Sequence, residues 1–289
     1  MLKRIHDGES TSKIKLNCKD RLKLTQTTSG WLENLHYLKT IKSIKANMSH
    51  KKLLEGILDS KHTVVVKIAD HTEESLKHEF EIAEALIKAK VPGIINYICY
   101  FECLDTFKDI RPPSENICKT SGIPIKVLIM EYIQNESFGA YNWKSIDSFR
   151  SCCKQAICTL LIAFLRTGFY HNDFHSKNIL IKSTQKTSVS YSINDTVSIT
   201  IPIPIHGGFV IKIMDFETSK LQQNVKDFYK DLNELFNSIR NKLEYDIINA
   251  ETITPIQIKL FQLQSEAKQP NDAIKSLEIF KNIDEIEFI

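Results

Sequence analysis

Nine consecutive residues, His171, Asn172, Asp173, Phe174, His175, Ser176, Lys177, Asn178 and Ile179, constrain this chain more than any other segment. The stretch before them, 148–167, spreads apolar side chains over more than one helical face and stops at Gly168, as a buried helix does. After them, 179–181 reads as a short strand. A loop held by a buried helix can fix the Asp173 carboxylate within hydrogen-bond reach of a hydroxyl. His, Asp and Asn are also common in ordinary loops. The segment therefore gains its meaning from a later apolar run, 209–214, which ends at Asp215 and Phe216.

Phosphoryl transfer needs a carboxylate beside the attacking hydroxyl, and a separate carboxylate and amide to hold magnesium against nucleotide phosphates. Asp173, Asp215 and Asn178 can fill those places. Magnesium is hard, takes oxygen ligands, and uses one or two protein carboxylates while phosphates complete its shell. Asp215 with the Asn178 amide oxygen meets that demand.

An HxD loop with Asn five residues after the Asp, followed by a strand ending in Asp-Phe, resembles the protein-kinase-like superfamily. With His175 two residues after Asp173, the HxDxHxxN form is similar to haspin-type kinases, kinase-like proteins of large DNA viruses, and aminoglycoside and choline kinases. Ordinary protein kinases usually carry Lys there. The resemblance implies an α+β, bilobal protein-kinase-like fold with a β-rich N-lobe and a mostly helical, reduced C-lobe. The N-lobe with its hinge would span 1–133 and bind nucleotide. The C-lobe would span 134–289, with the catalytic loop, the metal site and a β-hairpin insert at about 182–209.

The β-branched run 63–69 reads as a strand, with Val65 and Lys67 on one face. Val64, Val65, Val66 and Lys67 match the kinase V-A-I-K pattern, in which the lysine grips the α- and β-phosphates and pairs with a helix glutamate. Val65 replaces the usual Ala. An amphipathic helix at 73–90 follows, with Leu76, Phe80, Ala83 and Ile87 at helical spacing. It carries Glu79, Glu81 and Glu84. Counting back from Val91, Pro92 and Gly93 favours Glu81 as the partner of Lys67, with Glu79 second. By resemblance Met130 is the gatekeeper and Glu131 to Ile133 the adenine-binding hinge. The segment 104–124 has the Pro112, Pro113 and Ser114 cluster of a surface loop.

A glycine-rich turn lets backbone amides approach phosphate, yet only Gly8, Gly30 and Gly56 precede Lys67, and no G-x-G-x-x-G exists. Either a lysine-bearing turn at 49–52 covers the phosphates, or the nucleotide is held loosely or not at all.

By resemblance His171 and Asp173 are catalytic, Asn178 and Asp215 hold metal, and Asp231 braces the loop backbone. Asn172 stands where Arg commonly binds a phosphorylated activation loop. Asp215-Phe216-Glu217 lacks the flexible Gly of Asp-Phe-Gly. Val189, Tyr191 and Ile193, then Val197, Ile199 and Ile201, alternate about Asn194 and Asp195 as a hairpin does. Val225, Phe228, Leu232, Leu235, Phe236 and Ile239 mark a long amphipathic helix, which leaves almost no room for an activation segment.

A formal charge of +3 in 289 residues is too small to argue for nucleic acid; Lys39, Lys42, Lys45, Lys51 and Lys52 read as a solvated face. Seven cysteines include no CxxC pair, which predicts reduced, buried thiols in an intracellular compartment. The N-terminus lacks a signal-peptide core, and the apolar stretch 156–165 is too short to span a bilayer. The expectation is a monomeric intracellular serine/threonine protein kinase using ATP and magnesium, cytoplasmic or nuclear, of a type also encoded by viruses. The alternatives are a pseudokinase that binds a partner, then a small-molecule kinase.

Overall fold

The computed structural model describes residues 25–26, 32–33, 38–45, 51–58, 62–106, 117–119, 121–134, 136–243 and 250–286. Its architecture is mixed α and β, strand-rich in the N-terminal region and helical later. The first strands are β1 (Thr25–Gln26), β2 (Leu32–Glu33), β3 (Leu38–Lys45), β4 (Lys51–Leu58) and β5 (His62–Asp70). Helix α1 (Ser75–Lys88) precedes β6 (Tyr97–Asp105) and β7 (Ile123–Glu131). Contacts group residues 1–80 with 96–132 as one unit, and 81–95 with 133–289 as another.

In the first unit the seven strands form one sheet in the order β1-β2-β6-β7-β5-β4-β3. Strand β5 pairs antiparallel with β4 and β7, which sets Lys67 opposite Leu53 and Leu128. Alternation sorts its side chains. Val64, Val66 and Ile68 join Leu54, Leu58, Phe101, Val127 and Ile129 in an apolar core, while Val65 and Lys67 are half-buried on the other face. The same alternation overturns one expectation. Lys52 shares the buried side of β4 with Leu54 and Leu58 and is 3% exposed, so it belongs to no solvated face. The side chains of Lys39, Lys42 and Lys45 lie outside the described residues, as do Gly8, Gly30 and the first half of the turn at 49–52.

Two further expectations give way between β6 and β7. Cys103 and Cys118, both fully buried, form a disulfide with Cα atoms 5.5 Å apart, so reduced thiols are not general. Ile117 and Cys118 also lie in the core of the sheet, so the segment read as a surface loop from its Pro112, Pro113 and Ser114 cluster dips inward at its described end. The buried Asp105 carboxylate accepts the Cys118 amide at 3.2 Å, and Lys119 N donates to Leu104 O at 2.7 Å. Residues 107–116, including Pro112, Pro113 and Ser114, are outside the described residues.

The second unit is organised around α2 (Ile146–Thr167). Its N-terminus is capped by Ser145, whose hydroxyl accepts from Ser148 N, and its C-terminus by Gly168 in the left-handed region (φ 72). A Cβ at Gly168 would stand 3.0 Å from Gln223 N, so the tight exit into the next strand suits glycine. By length and composition α2 is apolar enough to cross a membrane, but 83% of its most apolar window is buried inside the unit, as in a core helix.

After α2 come β8 (Phe169–Tyr170), a 3₁₀ turn (Ser176–Asn178), β9 (Ile179–Ser183), β10 (Ser188–Ser192), β11 (Ser198–Pro202), β12 (Phe209–Ile213) and β13 (Lys220–Leu221). Strands β9 and β12, β10 and β11, and β8 and β13 form three antiparallel pairs. Asn194 turns the β10–β11 hairpin by accepting the amides of Thr196 and Val197. Gln155 of α2, itself buried, donates to Phe209 O and accepts from Ile211 N, which fixes β12 against the helix. Helices α3 (Val225–Leu243), α4 (Thr254–Glu266) and α5 (Phe280–Asp284), with 3₁₀ helices at Ala250–Thr252 and Pro270–Ile279, are the remaining described elements of the unit. Tyr229 of α3 donates to Asp272 O, and Arg150 of α2 to Ile286 O.

The chain-entropy model assigns about 3 kcal/mol to a disulfide closing a loop of this size. The double substitution Cys103→Ser, Cys118→Ser should therefore lower the unfolding free energy by about that amount, seen as a lower urea midpoint under non-reducing conditions.

Candidate active site

In the first unit, the position of Lys67 on β5 and the phase of α1 determine an ion pair. Lys67 Nζ donates to both carboxylate oxygens of Glu79, at 2.9 and 3.0 Å. Glu79 is fully buried and also accepts from the Tyr97 hydroxyl at 2.6 Å. The expected partner, Glu81, is exposed. Leu76, Glu79 and Ala83 recur three or four residues apart on the buried side of α1, whereas Glu81 lies roughly 200° round the axis from Glu79. Helix phase, rather than distance from the helix end, selects the glutamate. Glu84 is exposed as well. Tyr97, which sequence reasoning did not single out, heads β6; its only signal was an aromatic at the start of an alternating strand.

The residues expected at the nucleotide base divide between the units. Val65 is half-buried opposite Met130, which is 2% exposed. The Glu131 amide donates to Asn96 O at 2.9 Å, and its carboxylate accepts from Asn96 N at 3.0 Å, so that amide is committed within the sheet edge. Ile133, in the second unit, makes no backbone hydrogen bond among the described residues.

In the second unit the polar loop is built backbone first. Asn172 takes a left-handed conformation (φ 63), a region that Asn tolerates better than most residues. The turn presents two amides to α3: Asp231 accepts from His171 N at 2.5 Å and from Asn172 N at 2.8 Å. Burial pushes the Asp231 carboxyl up, the two amides pull it down, and the balance lies at about 7.

His171, expected among the catalytic residues, is fully buried. Its Nε2 donates to Met214 O at 2.9 Å, and its ring packs against Phe169, Phe174 and Phe216. Burial lowers its pKa, and Nδ1 has no hydrogen-bond partner among the described residues. The His171 carbonyl accepts from the Ser219 hydroxyl at 3.0 Å.

Met214 closes the structure from the other side. Its amide donates to Asn178 O at 3.0 Å, so Asn178 and Asp215 stand on directly bonded stretches of chain. The Asn178 side-chain amide donates to Asp173 O at 3.0 Å and to Asp173 Oδ2 at 3.2 Å. That use of Nδ2 leaves the Asn178 Oδ1 lone pairs without a protein donor among the described residues, as a ligand for a hard cation requires. Asp215 is half-buried in the left-handed region (φ 70). Asp173 is also half-buried, its side chain 43% exposed, beside His175. Thus Asp173, Asn178 and Asp215 come together in one unit, and the carboxylate-plus-amide oxygen set fits magnesium chemistry.

No known family model matches the chain, and no curated protein matches it at a significant level.

Two outcomes follow. Glu79→Ala, which removes the buried carboxylate that accepts from Lys67 and from the Tyr97 hydroxyl, should cost about 3 kcal/mol of stability, while Glu81→Ala should change it by less than about 0.5 kcal/mol; urea denaturation compares them. The Asp231 carboxyl sits above its unfolded value, so the native state keeps a proton that the unfolded chain has lost. Its contribution to stability is complete below about pH 4 and declines as pH rises to about 7. Asp231→Asn should flatten that slope in unfolding free energies measured from pH 4 to pH 7.5.

Proposed function

We propose that the chain is an ATP- and magnesium-dependent phosphotransferase of the protein-kinase-like superfamily, with a bilobal kinase-like fold of the haspin or large-DNA-virus type. Its acceptor is a serine or threonine hydroxyl on a protein. One observation carries the reading: the buried knot in which His171 Nε2 bonds Met214 O while Met214 N bonds Asn178 O. That knot ties the loop bearing Asp173 and Asn178 to the residue before Asp215, in the order and spacing that phosphoryl transfer requires.

Asp173 orients the acceptor hydroxyl and takes its proton. Asn178, through its amide oxygen, and Asp215 hold the metal; magnesium, when bound, offsets phosphate charge. Lys67, kept in place by Glu79 and Tyr97, grips the nucleotide phosphates. Val65, Met130, Glu131 and Ile133 keep their sequence-derived roles toward the base, and Ile133 makes no backbone hydrogen bond among the described residues.

A pseudokinase is the second reading, favoured by Gly56. This glycine sits within β4 opposite Val64, paired in the sheet rather than in a phosphate-covering turn. With magnesium and radiolabelled ATP, the purified protein should label basic or acidic protein acceptors, and Asp173→Ala and Asp215→Ala should each reduce labelling at least 100-fold, as roughly expected for loss of a proton acceptor or metal ligand. No labelling together with no magnesium-dependent nucleotide binding would favour the pseudokinase.

A further inference from the structure

Of the lettered residues in the HxDxHxxN loop, His175 is the one to which the proposed function gives no task. Its backbone is extended (φ −107, ψ 162), and its ring caps the 3₁₀ turn: Nδ1 accepts from Lys177 N at 3.2 Å. A backbone amide only donates, so Nδ1 supplies a lone pair and the ring proton resides on Nε2. Nε2 stands 3.5 Å from Asp173 Oδ2, with the two side chains 30% and 43% exposed. That same oxygen receives Asn178 Nδ2 at 3.2 Å. Asp173 Oδ1 accepts no hydrogen bond among the described residues.

From this asymmetry we infer that His175 is a positioning residue: with Asn178 it holds Oδ2 and thereby assigns Oδ1 as the oxygen that takes the acceptor's proton. The inference rests on the proposed phosphotransfer. In that step the hydroxyl proton passes to Asp173 Oδ1 and the hydroxyl oxygen bonds the γ-phosphorus. The bond from that phosphorus to its bridging oxygen breaks, and the electron pair leaves with ADP. A carboxylate held on one side only can rotate and offer either oxygen, which loses orientation in the transition state rather than affinity for nucleotide. The 3.5 Å separation is slightly longer than a hydrogen bond, and such contacts tighten when substrate is present.

Two substitutions separate the ring's two contacts. In His175→Asn the side-chain oxygen replaces Nδ1 as a cap but cannot reach Asp173; in His175→Gln the amide nitrogen takes the place of Nε2. His175→Asn should keep the melting temperature and the KM for ATP while lowering kcat about tenfold, the effect of losing one charge-assisted contact. His175→Gln should recover kcat to within about threefold of wild type. Nitrogen-15 spectra of the histidine rings, recorded without nucleotide, should place the His175 proton on Nε2. A proton on Nδ1, or an undiminished kcat in His175→Asn, would overturn the inference. If wild-type protein transfers no phosphate, the proposed function fails and the proton-orienting role falls with it, while the ring spectrum separately reports whether the tautomer that the contact requires is present.

Discussion

Two backbone amides, those of His171 and Asn172, converge on the buried Asp231 carboxylate, and the form of the whole loop depends on that convergence. A turn through the left-handed region leaves consecutive amides pointing the same way, where no strand or helix can satisfy them. A carboxylate can accept both. The cost is visible in its own chemistry, since burial draws the Asp231 carboxyl up to about 7 against the pull of the amides. With the amides fixed, the His171 ring can only enter the aromatic nest of Phe169, Phe174 and Phe216. From there it reaches Met214, and through Met214 the loop and the end of β12 become one hydrogen-bonded piece.

Much of this was legible in the chain because it is local. The alternation through Val189 to Ile201, the stop at Gly168 and the amphipathic run from Val225 each fix an element by short-range periodicity, and each element is present near the expected bounds. What failed depended on register or tertiary pairing. Glu79 and Glu81 differ by two residues, too small a difference for a count from the helix end to resolve, whereas the buried stripe of Leu76 and Ala83 distinguishes them. Disulfide connectivity does not follow from cysteine spacing, and the Cys103–Cys118 link depends on the path of the chain after β6. Lys52 looked solvated because its charge was weighed without its strand parity; β4 alternation puts it beside Leu54.

Strain is concentrated at the proposed chemistry. Asn172 and Asp215 are two of only four non-glycine residues with positive φ among those described; Asn172 precedes the group assigned to the proton, and Asp215 is itself assigned to metal. Asn and Asp enter that region at lower cost than other side chains, but it is still disfavoured and persists only where surrounding bonds over-determine it. Asp231 supplies those bonds for Asn172. For Asp215 they come from its neighbours: Met214 is bonded through both its amide and its carbonyl, and Phe216 is fully buried edge-on to Phe169.

The same bonds bear on regulation. A segment that switches between inward and outward positions needs a flexible residue after the phenylalanine and a long tether behind it. Here Glu217 takes the place of glycine, and α3 begins at Val225. Residues 219–222 between them are held: Ser219 N donates to Phe216 O, the Ser219 hydroxyl to His171 O, Lys220 and Leu221 pair with Tyr170 and Phe169, and Gln222 N donates to Gly168 O. Moving Phe216 outward would break this ladder and leave a ring-sized void beside His171, a penalty of several kcal/mol for a buried phenylalanine. No phosphate is needed to order a segment that the fold already orders. On the proposed reading, control of this protein must therefore act through acceptor or nucleotide binding rather than through rearrangement behind Asp215.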